Sequence, residues 1–341
     1  MRKTMRAAIV GFGGMGQRHY KAYQGTSMEV TAICEWNPDR VKAIVPDFPD
    51  DKIYKDYREM IARESIDVLS VASNGPTHAP IAIDAAEAGV KRILIEKPMA
   101  TSVAEAEQVI AAAERAGARI SVNLIRRWSD SYRELKKRID DGTYGPVRHV
   151  YYHSGSTGLG NFVIHAFDTM RMLGGTDAAW VTGALDPTGT PNPRGADYVD
   201  PAGFGMVMFA NGMRGLVDSG EDTGLQYLLV VATPHARIEI DELNTRWRVT
   251  MRTEESRKTA FTRYGNPMEE VEFPQLRHDI VALTSRALVE LAGDGPLSCT
   301  VEDGLKSLEM VIAFHESQRR GNTRVDLPLT GDARDLRVMI A

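Results

Sequence analysis

The 341-residue sequence predicts an α/β protein: a doubly wound parallel sheet first, then an α+β half with a large, mainly antiparallel open sheet. Three observations carry that prediction. An apolar run of strand character, Ala7 to Val10, ends in Gly11-Phe12-Gly13-Gly14-Met15-Gly16 and leads into a helix-compatible stretch, Gln17 to Gln24. Strand-like and helix-like patterns then alternate as far as Val122. Beyond residue 123, segments rich in β-formers and punctuated by hairpin signals replace the alternation. The expected units are therefore residues 1–122 and 123–341.

Each glycine of the G-x-G-x-x-G spacing has a physical task. Gly11 allows a tight turn off the strand, Gly13 lets a pyrophosphate approach the backbone, and Gly16 lets the helix pack closely on the sheet. The amides that open the helix face those phosphates, where the helix dipole favours negative charge. Thr31 to Cys34 reads as the second strand and ends at Glu35, the position of an acid that holds a ribose.

Asp67 to Ala72 follows as a buried-strand candidate, broken by Ser73-Asn74-Gly75-Pro76-Thr77. The alanine-rich stretch Ala79 to Ala88 reads as a helix stopped by Gly89, and Arg92 to Ile95 as a strand running into Glu96-Lys97-Pro98. Ser102 with Glu105 three residues on pairs as a capping box, its helix runs to Gly117, and Arg119 to Val122 closes the first unit. Ligands of such open sheets bind at the carboxyl ends of the strands, so the turns after these strands matter most.

In the second unit a helix is expected from Ser131 to Asp140 and a strand within Pro146 to His153. Phe204 to Phe209 and Met213 to Val217 flank Asn211-Gly212, a strong hairpin signal. Tyr227 to Ala232, Ala236 to Ile240, Trp247 to Met251 and Val271 to Phe273 extend the antiparallel pattern. Gly183 to Gly203 holds four prolines and little apolar content, which predicts a functional loop bordering the mouth of the site.

Composition narrows the function classes. A formal net charge of −5, with 43% hydrophobic and 26% charged residues, gives no sign of a nucleic-acid partner. Cys34 and Cys299 are the only cysteines, so neither a disulfide framework nor a cysteine-rich metal site is available, and no metal is expected. No apolar h-region precedes the first strand, and no apolar run reaches the ~18 residues of a membrane span. The expectation is a cytoplasmic protein with no membrane partner.

Two segments outside the glycine loop supply reactive groups. Lys97 ends a strand and so has access to the crevice; by itself it also reads as a surface lysine beside a turn proline. In Gly160 to Asp168, helical spacing sets Asn161, His165 and Asp168 on one face. Periodicity alone leaves His165 equally readable as a hydrogen-bonded core histidine.

Together these features resemble the Gfo/Idh/MocA family, the glucose–fructose oxidoreductase and inositol dehydrogenase group. The resemblance runs through the glycine loop, Glu35, Asp56-Tyr57, the turn Ser73 to His78, Glu96-Lys97-Pro98, Arg126-Arg127-Trp128, and His165 with Asp168. It ends with Asp303-Gly304-Leu305, Phe314-His315-Glu316-Ser317 and Leu327-Pro328-Leu329. It implies a Rossmann domain binding NAD or NADP, held by Gly11, Phe12, Gly13, Gly14, Met15, Gly16, Glu35, Trp36, Arg40, Ser73, Asn74, His78, Glu96 and Lys97. Glu35 repels a 2′-phosphate and so favours NAD, against which stands Arg40, a residue able to accommodate that phosphate. It also implies a homo-oligomer, dimer or tetramer, built through the C-terminal sheet.

The implied activity is hydride transfer with a secondary alcohol or ketone of a sugar, polyol or cyclitol. Lys97 matches the family's active-site lysine and His165 its acid/base histidine; Arg127 and Trp128 are expected on the substrate side, and Lys97-Pro98 resembles a turn often built around a cis peptide. The chain departs from the family at Asn161, where an aspartate often stands four residues before the histidine. A neutral amide donates and accepts hydrogen bonds but does not stabilise a cation as a carboxylate does. Two other readings stay open: glycoside hydrolysis or elimination through transient oxidation, with Tyr151, Tyr152 or Tyr198 as second acid/base, and a cofactor-binding sensor without turnover.

Overall fold

The computed structural model describes residues 4–155, 157–186, 192, 195, 197–224, 226–261 and 264–340. Six strands form the first sheet: β1 (Arg6–Val10), β2 (Glu29–Cys34), β3 (Ile53–Tyr54), β4 (Val68–Val71), β5 (Arg92–Ile95) and β6 (Arg119–Val122). Their order is β3-β2-β1-β4-β5-β6, with every neighbouring pair parallel. Buried on both faces, β1 and β4 read as continuous apolar runs because helices cover the sheet on each side. The order reverses between β1 and β4, and there the crevice outside the strand ends opens.

The glycine loop fills that reversal as its spacing demands. Gly11 has φ +86°, and a Cβ there would stand 2.6 Å from Ser73 Cα. A Cβ on Gly16 would collide with the Gly11 carbonyl oxygen, so only glycine lets the helix Gly14–Gln24 sit this close to the loop.

The second sheet has nine strands: β7 (His149–His153), β8 (Ala178–Leu185), β9 (Gly203–Phe209), β10 (Arg214–Asp218), β11 (Leu228–Ala232), β12 (Ala236–Asp241), β13 (Arg246–Arg252), β14 (Met268–Val271) and β15 (Val325–Asp326). They are ordered β14-β13-β12-β11-β7-β10-β9-β8-β15, and only β7 and β10 pair in parallel. Burial alternates along β7, β11 and β12, so one face packs on helices and the other faces outward.

The structure differs from expectation at β8, which takes up the first residues of the predicted loop. Gly183 pairs with Gly205 across β8 and β9, and both lie beneath the Phe314 ring, where any Cβ would clash. Glycine here admits a helix to the sheet, whereas in sequence it reads as a breaker. That helix, Val301–Arg319, starts with a capping box between Thr300 and Asp303 and carries Leu305, Leu308, Val311, Ile312 and Phe314 inward. It packs against β8, β6 and the helices Val103–Ala116 and Ile164–Gly174, and so spans both sheets. The helix Ile280–Ala292 also returns to the first sheet, where Ser285 Oγ donates to Ala22 O at 2.6 Å.

Candidate functional site

Two adjoining cavities sit over the carboxyl ends of the first sheet. One, of about 390 Å³, is lined by Gly13, Gly14, Met15, Gln17, Arg40, Ala72, Ser73, Asn74, His78, Glu96 and Lys97. The other, of about 450 Å³, shares Gly14, Met15, Glu96 and Lys97, and adds Arg18, Asn123, Ile125, Asn161, Phe162, His165 and Ile280. Lys97 and Glu96 form the wall between them.

The first cavity fits a dinucleotide. Nothing lies within 4 Å of where a Cβ would project from Gly13 or Gly14, so a pyrophosphate has open access to the helix N-terminus. Glu35 sits at the end of β2, nearly buried, and Oε2 accepts from Phe12 N at 2.8 Å. Its other oxygen accepts from Asn37 N at 3.2 Å and Arg40 Nη1 at 3.1 Å. Glu35 therefore fastens the glycine loop, while Arg40, lying 5.6 Å over the exposed Trp36 ring, reaches the cavity wall. Asn74 donates to Tyr198 Oη at 2.9 Å, and His78 brings Nδ1 to 2.7 Å from Pro98 O and Nε2 to 3.0 Å from Ser73 O. Burial pushes the His78 imidazole down, against the opposing pull of those carbonyls.

The turn after β5 presents the reactive groups. Lys97-Pro98 is cis, as the resemblance implies. Glu96 is buried beneath it, with Oε1 2.8 Å from His19 Nε2 and accepting from Asn123 Nδ2 at 2.6 Å. Burial raises its pKa, but the His19 contact, Lys97 and Asn123 overcome that and hold the carboxyl below the usual range. Lys97 Nζ donates to Asn161 O at 2.6 Å and to Asn161 Oδ1 at 2.8 Å.

Asn161 lies in a π-type turn, Leu159–Val163, which precedes the helix Ile164–Gly174. The wider turn lets Asn161 and His165 both line the second cavity. The His165 ring has no hydrogen-bond partner among the described residues and is half-buried. Burial, then the positive charges of Lys97 and Arg126 and the nearby His278 ring, pushes its imidazole well below the usual value, which favours its neutral form. It is thus poised to accept a proton. Behind it Arg126 pairs with Glu242 through Nε at 3.0 Å and Nη2 at 2.7 Å, and stacks 4.9 Å over Tyr227.

Three expectations at this site are corrected. Arg127 does not line either cavity: its guanidinium is taken by Asp168 at 2.7 Å, Asp303 at 2.9 Å and Ser298 O at 2.9 Å. Trp128 is core, 1% exposed, and lines neither cavity. Asp168 shares the helix Ile164–Gly174 with His165 but lines neither cavity, being buried against Arg127.

Other residues at the site were not singled out from the sequence. Asp200 accepts from Gly160 N and Asn161 N, both at 2.7 Å, and so fixes the turn that holds Asn161. It belongs to the predicted proline-rich loop, whose described part does border the site: Pro201 O accepts from Leu159 N at 3.0 Å and Tyr198 reaches Asn74. Residues 187–191, 193, 194 and 196 of that loop lie outside the described residues. Asn123, directly after β6, was findable from the rule that strand ends bear the site; Arg18 and Asp200 carry no such signal.

Fold and site define a two-sheet protein with a dinucleotide crevice opening onto a second, polar cavity. Residues 5–124 match the family described as "Oxidoreductase family, NAD-binding Rossmann fold". Over that domain the chain is similar to the Gfo/Idh/MocA family. Inositol 2-dehydrogenase of Salmonella typhimurium is 29% identical over 184 residues, 50% of this chain and 54% of that protein. The chain thus spans about half the length of the inositol dehydrogenases it matches. D-apiose dehydrogenase of Paraburkholderia graminis is 25% identical over 94% of this chain and 89% of its own length. The fold is that of a levoglucosan dehydrogenase solved with NADH and levoglucosan, at TM-score 0.80 and 22% identity over 96% of this chain and 100% of that one. An inositol dehydrogenase homologue from Azotobacter vinelandii, with NADH and myo-inositol, gives TM-score 0.79 at 19% identity over 96% of this chain and 98% of that one.

The corrected role of Arg127 has a direct test. Arg127→Ala leaves buried Asp168 without its close partner, with Arg171 only at 3.9 Å, which is expected to cost about 3–5 kcal/mol of unfolding free energy in urea titration. Arg127→Lys keeps the charge and loses the fork, for a smaller cost. Folded variant is expected to bind NAD with wild-type affinity; unchanged stability with weakened substrate binding would return Arg127 to the substrate side.

Proposed function

We propose that the protein is an NAD-dependent oxidoreductase acting on a secondary alcohol, or the matching ketone, of a sugar, polyol or cyclitol. The single observation that carries this reading is the meeting of Lys97, Asn161 and His165 at the boundary between the dinucleotide crevice and the second cavity. Bound NAD supplies the hydride chemistry; the chain supplies position and proton handling. Gly13, Gly14 and the amides after them bind the pyrophosphate. The Glu35 charge near the adenosine end disfavours a 2′-phosphate and so favours NAD over NADP. Lys97, oriented by both oxygens of Asn161, binds the reacting oxygen, and neutral His165 accepts the hydroxyl proton as the carbonyl forms.

The relatives named as inositol, apiose and levoglucosan dehydrogenases support a CH–OH substrate. Neither alternative gains a specific observation. Tyr151, Tyr152 and Tyr198 line neither cavity, and Tyr198 Oη is engaged by Asn74, which speaks against a tyrosine acid at a leaving group. A sensor without turnover has no use for a lysine and a neutral histidine brought to one cavity.

The homo-oligomer reading rests on the outward face of the second sheet. Val230, Tyr151, Leu216 and Met206 are cross-strand neighbours on it and form an apolar row over β11, β7, β10 and β9. Phe204, 52% exposed, lies beside that row. A second copy laid on this face, as a dimer or within a tetramer, buries what water otherwise meets. Cys34 and Cys299 are both free and buried, in keeping with a cytoplasmic location. The units 1–122 and 123–341 remain our division of the chain.

Replacing Lys97 by Ala is expected to lower kcat about 10²–10⁴-fold with NAD affinity little changed, since the glycine loop holds the cofactor. Equal losses in both, by steady-state kinetics and NAD titration, would move Lys97 into cofactor binding. Asn161→Asp sets a carboxylate beside His165 and favours its protonated form, raising the imidazole pKa. The acid limb of kcat/KM in the oxidative direction then moves to higher pH, because a protonated base is inactive; an unmoved limb would separate Asn161 from the catalytic proton. Leu216→Lys on the outward face is expected to shift the sedimentation coefficient towards the monomer, whereas an unchanged assembly would locate the interface elsewhere.

A further inference from the structure

The second cavity holds a positive charge that its reacting end does not use. Arg18 lies in the helix Gly14–Gln24, is exposed, and lines that cavity with Lys97, Asn161 and His165. Its guanidinium meets only the Met15 sulfur, Nη1 to Sδ 3.2 Å, among the described residues. A thioether is a weak acceptor and does not hold an arginine head group. Among the described residues no acid is paired with this charge. Glu96 is buried and taken by His19 and Asn123, Asp168 by Arg127, and Asp200 by the N–H groups of Gly160 and Asn161. Asn161 itself is neutral where the related pattern often carries an aspartate.

We infer that the substrate is a hydroxy acid: a sugar- or polyol-like chain whose carboxylate is bound by Arg18 while its reacting carbinol sits at Lys97 and His165. This deepens the oxidoreductase reading and rests on it. A planar guanidinium and a carboxylate pair through two parallel hydrogen bonds, which a neutral polyol does not offer. Because Arg18 is exposed, it gives up little hydration on pairing, and the pair is screened by salt. The carboxylate also places negative charge in a cavity where Lys97 and Arg18 are the cations, supplying from the substrate what Asn161 does not supply from the chain.

The test uses the NAD-loaded protein and matched compounds that differ only by CH₂OH against COO⁻, such as glucose with glucuronate, galactose with galacturonate, and glucitol with gluconate. NADH formation and, separately, binding by isothermal titration are measured at low and high salt. An acid is expected to exceed its neutral partner by about 10–100-fold in kcat/KM and in affinity, with the advantage shrinking as salt rises. Arg18→Gln is expected to erase the advantage and its salt dependence, and Arg18→Lys to recover part of it. Neutral partners bound as well or better, no binding of either, or an acid preference untouched by Arg18→Gln would each overturn the inference. If no compound reduces NAD, the oxidoreductase reading fails separately, and the titrations with wild type and Arg18→Gln still decide the carboxylate site.

Discussion

The guanidinium of Arg127 holds three parts of the molecule in one place. It leaves the short turn after β6, where the first sheet ends, and pairs with Asp168 in the helix that carries His165 and with Asp303 at the start of the spanning helix. Burial works against its charge, but Asp168 and its hydrogen bonds more than offset this and keep the guanidinium ionised. Asp303, pushed up by burial, is drawn below the usual carboxylate range chiefly by Arg127. Removing the arginine leaves buried Asp168 with only Arg171, 3.9 Å away, as a counter-charge, so the cluster is costly to open. The positions of Lys97 on one sheet and His165 on the other element thereby become one geometry.

Charge within that geometry is divided with little overlap. Anions sit below the site or behind it, in Glu96, Asp168 and Glu242, each tied to named donors. Burial, then the cations gathered around His165, keeps its imidazole in the unprotonated form. Asp200 works differently: it grips two backbone amides and fixes the π-type turn, so that Asn161 offers both its carbonyl and its amide oxygen to Lys97. A proline-rich connection thus supplies a structural carboxylate to the site.

The chain beyond Arg319 also serves this region. Ile340 is fully buried against Gly160 and Gly75, where a Cβ on either glycine would collide with it. Val199 N donates to Met339 O at 2.9 Å, and Val338 N donates to Thr101 O at 2.9 Å. Segments far apart in sequence therefore meet around the start of the helix Gly75–Glu87 and the turn before His165. Small residues at those two positions are what permit the approach.

Much of the first sheet was determined by sequence alone, because its signals are local. A strand followed by G-x-G-x-x-G can be read without knowing any distant contact: Gly11 must adopt positive φ, and Gly16 must lack a side chain. The strand ends at Glu35 and Glu96-Lys97 follow from periodicity and from the rule that crevices form there. Tertiary structure alone decided which charged residues face the cavity. Arg127 and Arg18 look alike in sequence, yet one is enclosed by carboxylates from two distant helices and the other faces the cavity. Gly183 reads as a loop residue until Phe314, 131 residues later, is found lying on it. Asp168 follows His165 by three residues in the same helix, yet a distant arginine takes its carboxylate and it lines neither cavity. Periodicity assigns a residue to a face of its own element; what that face meets depends on partners brought together only by folding.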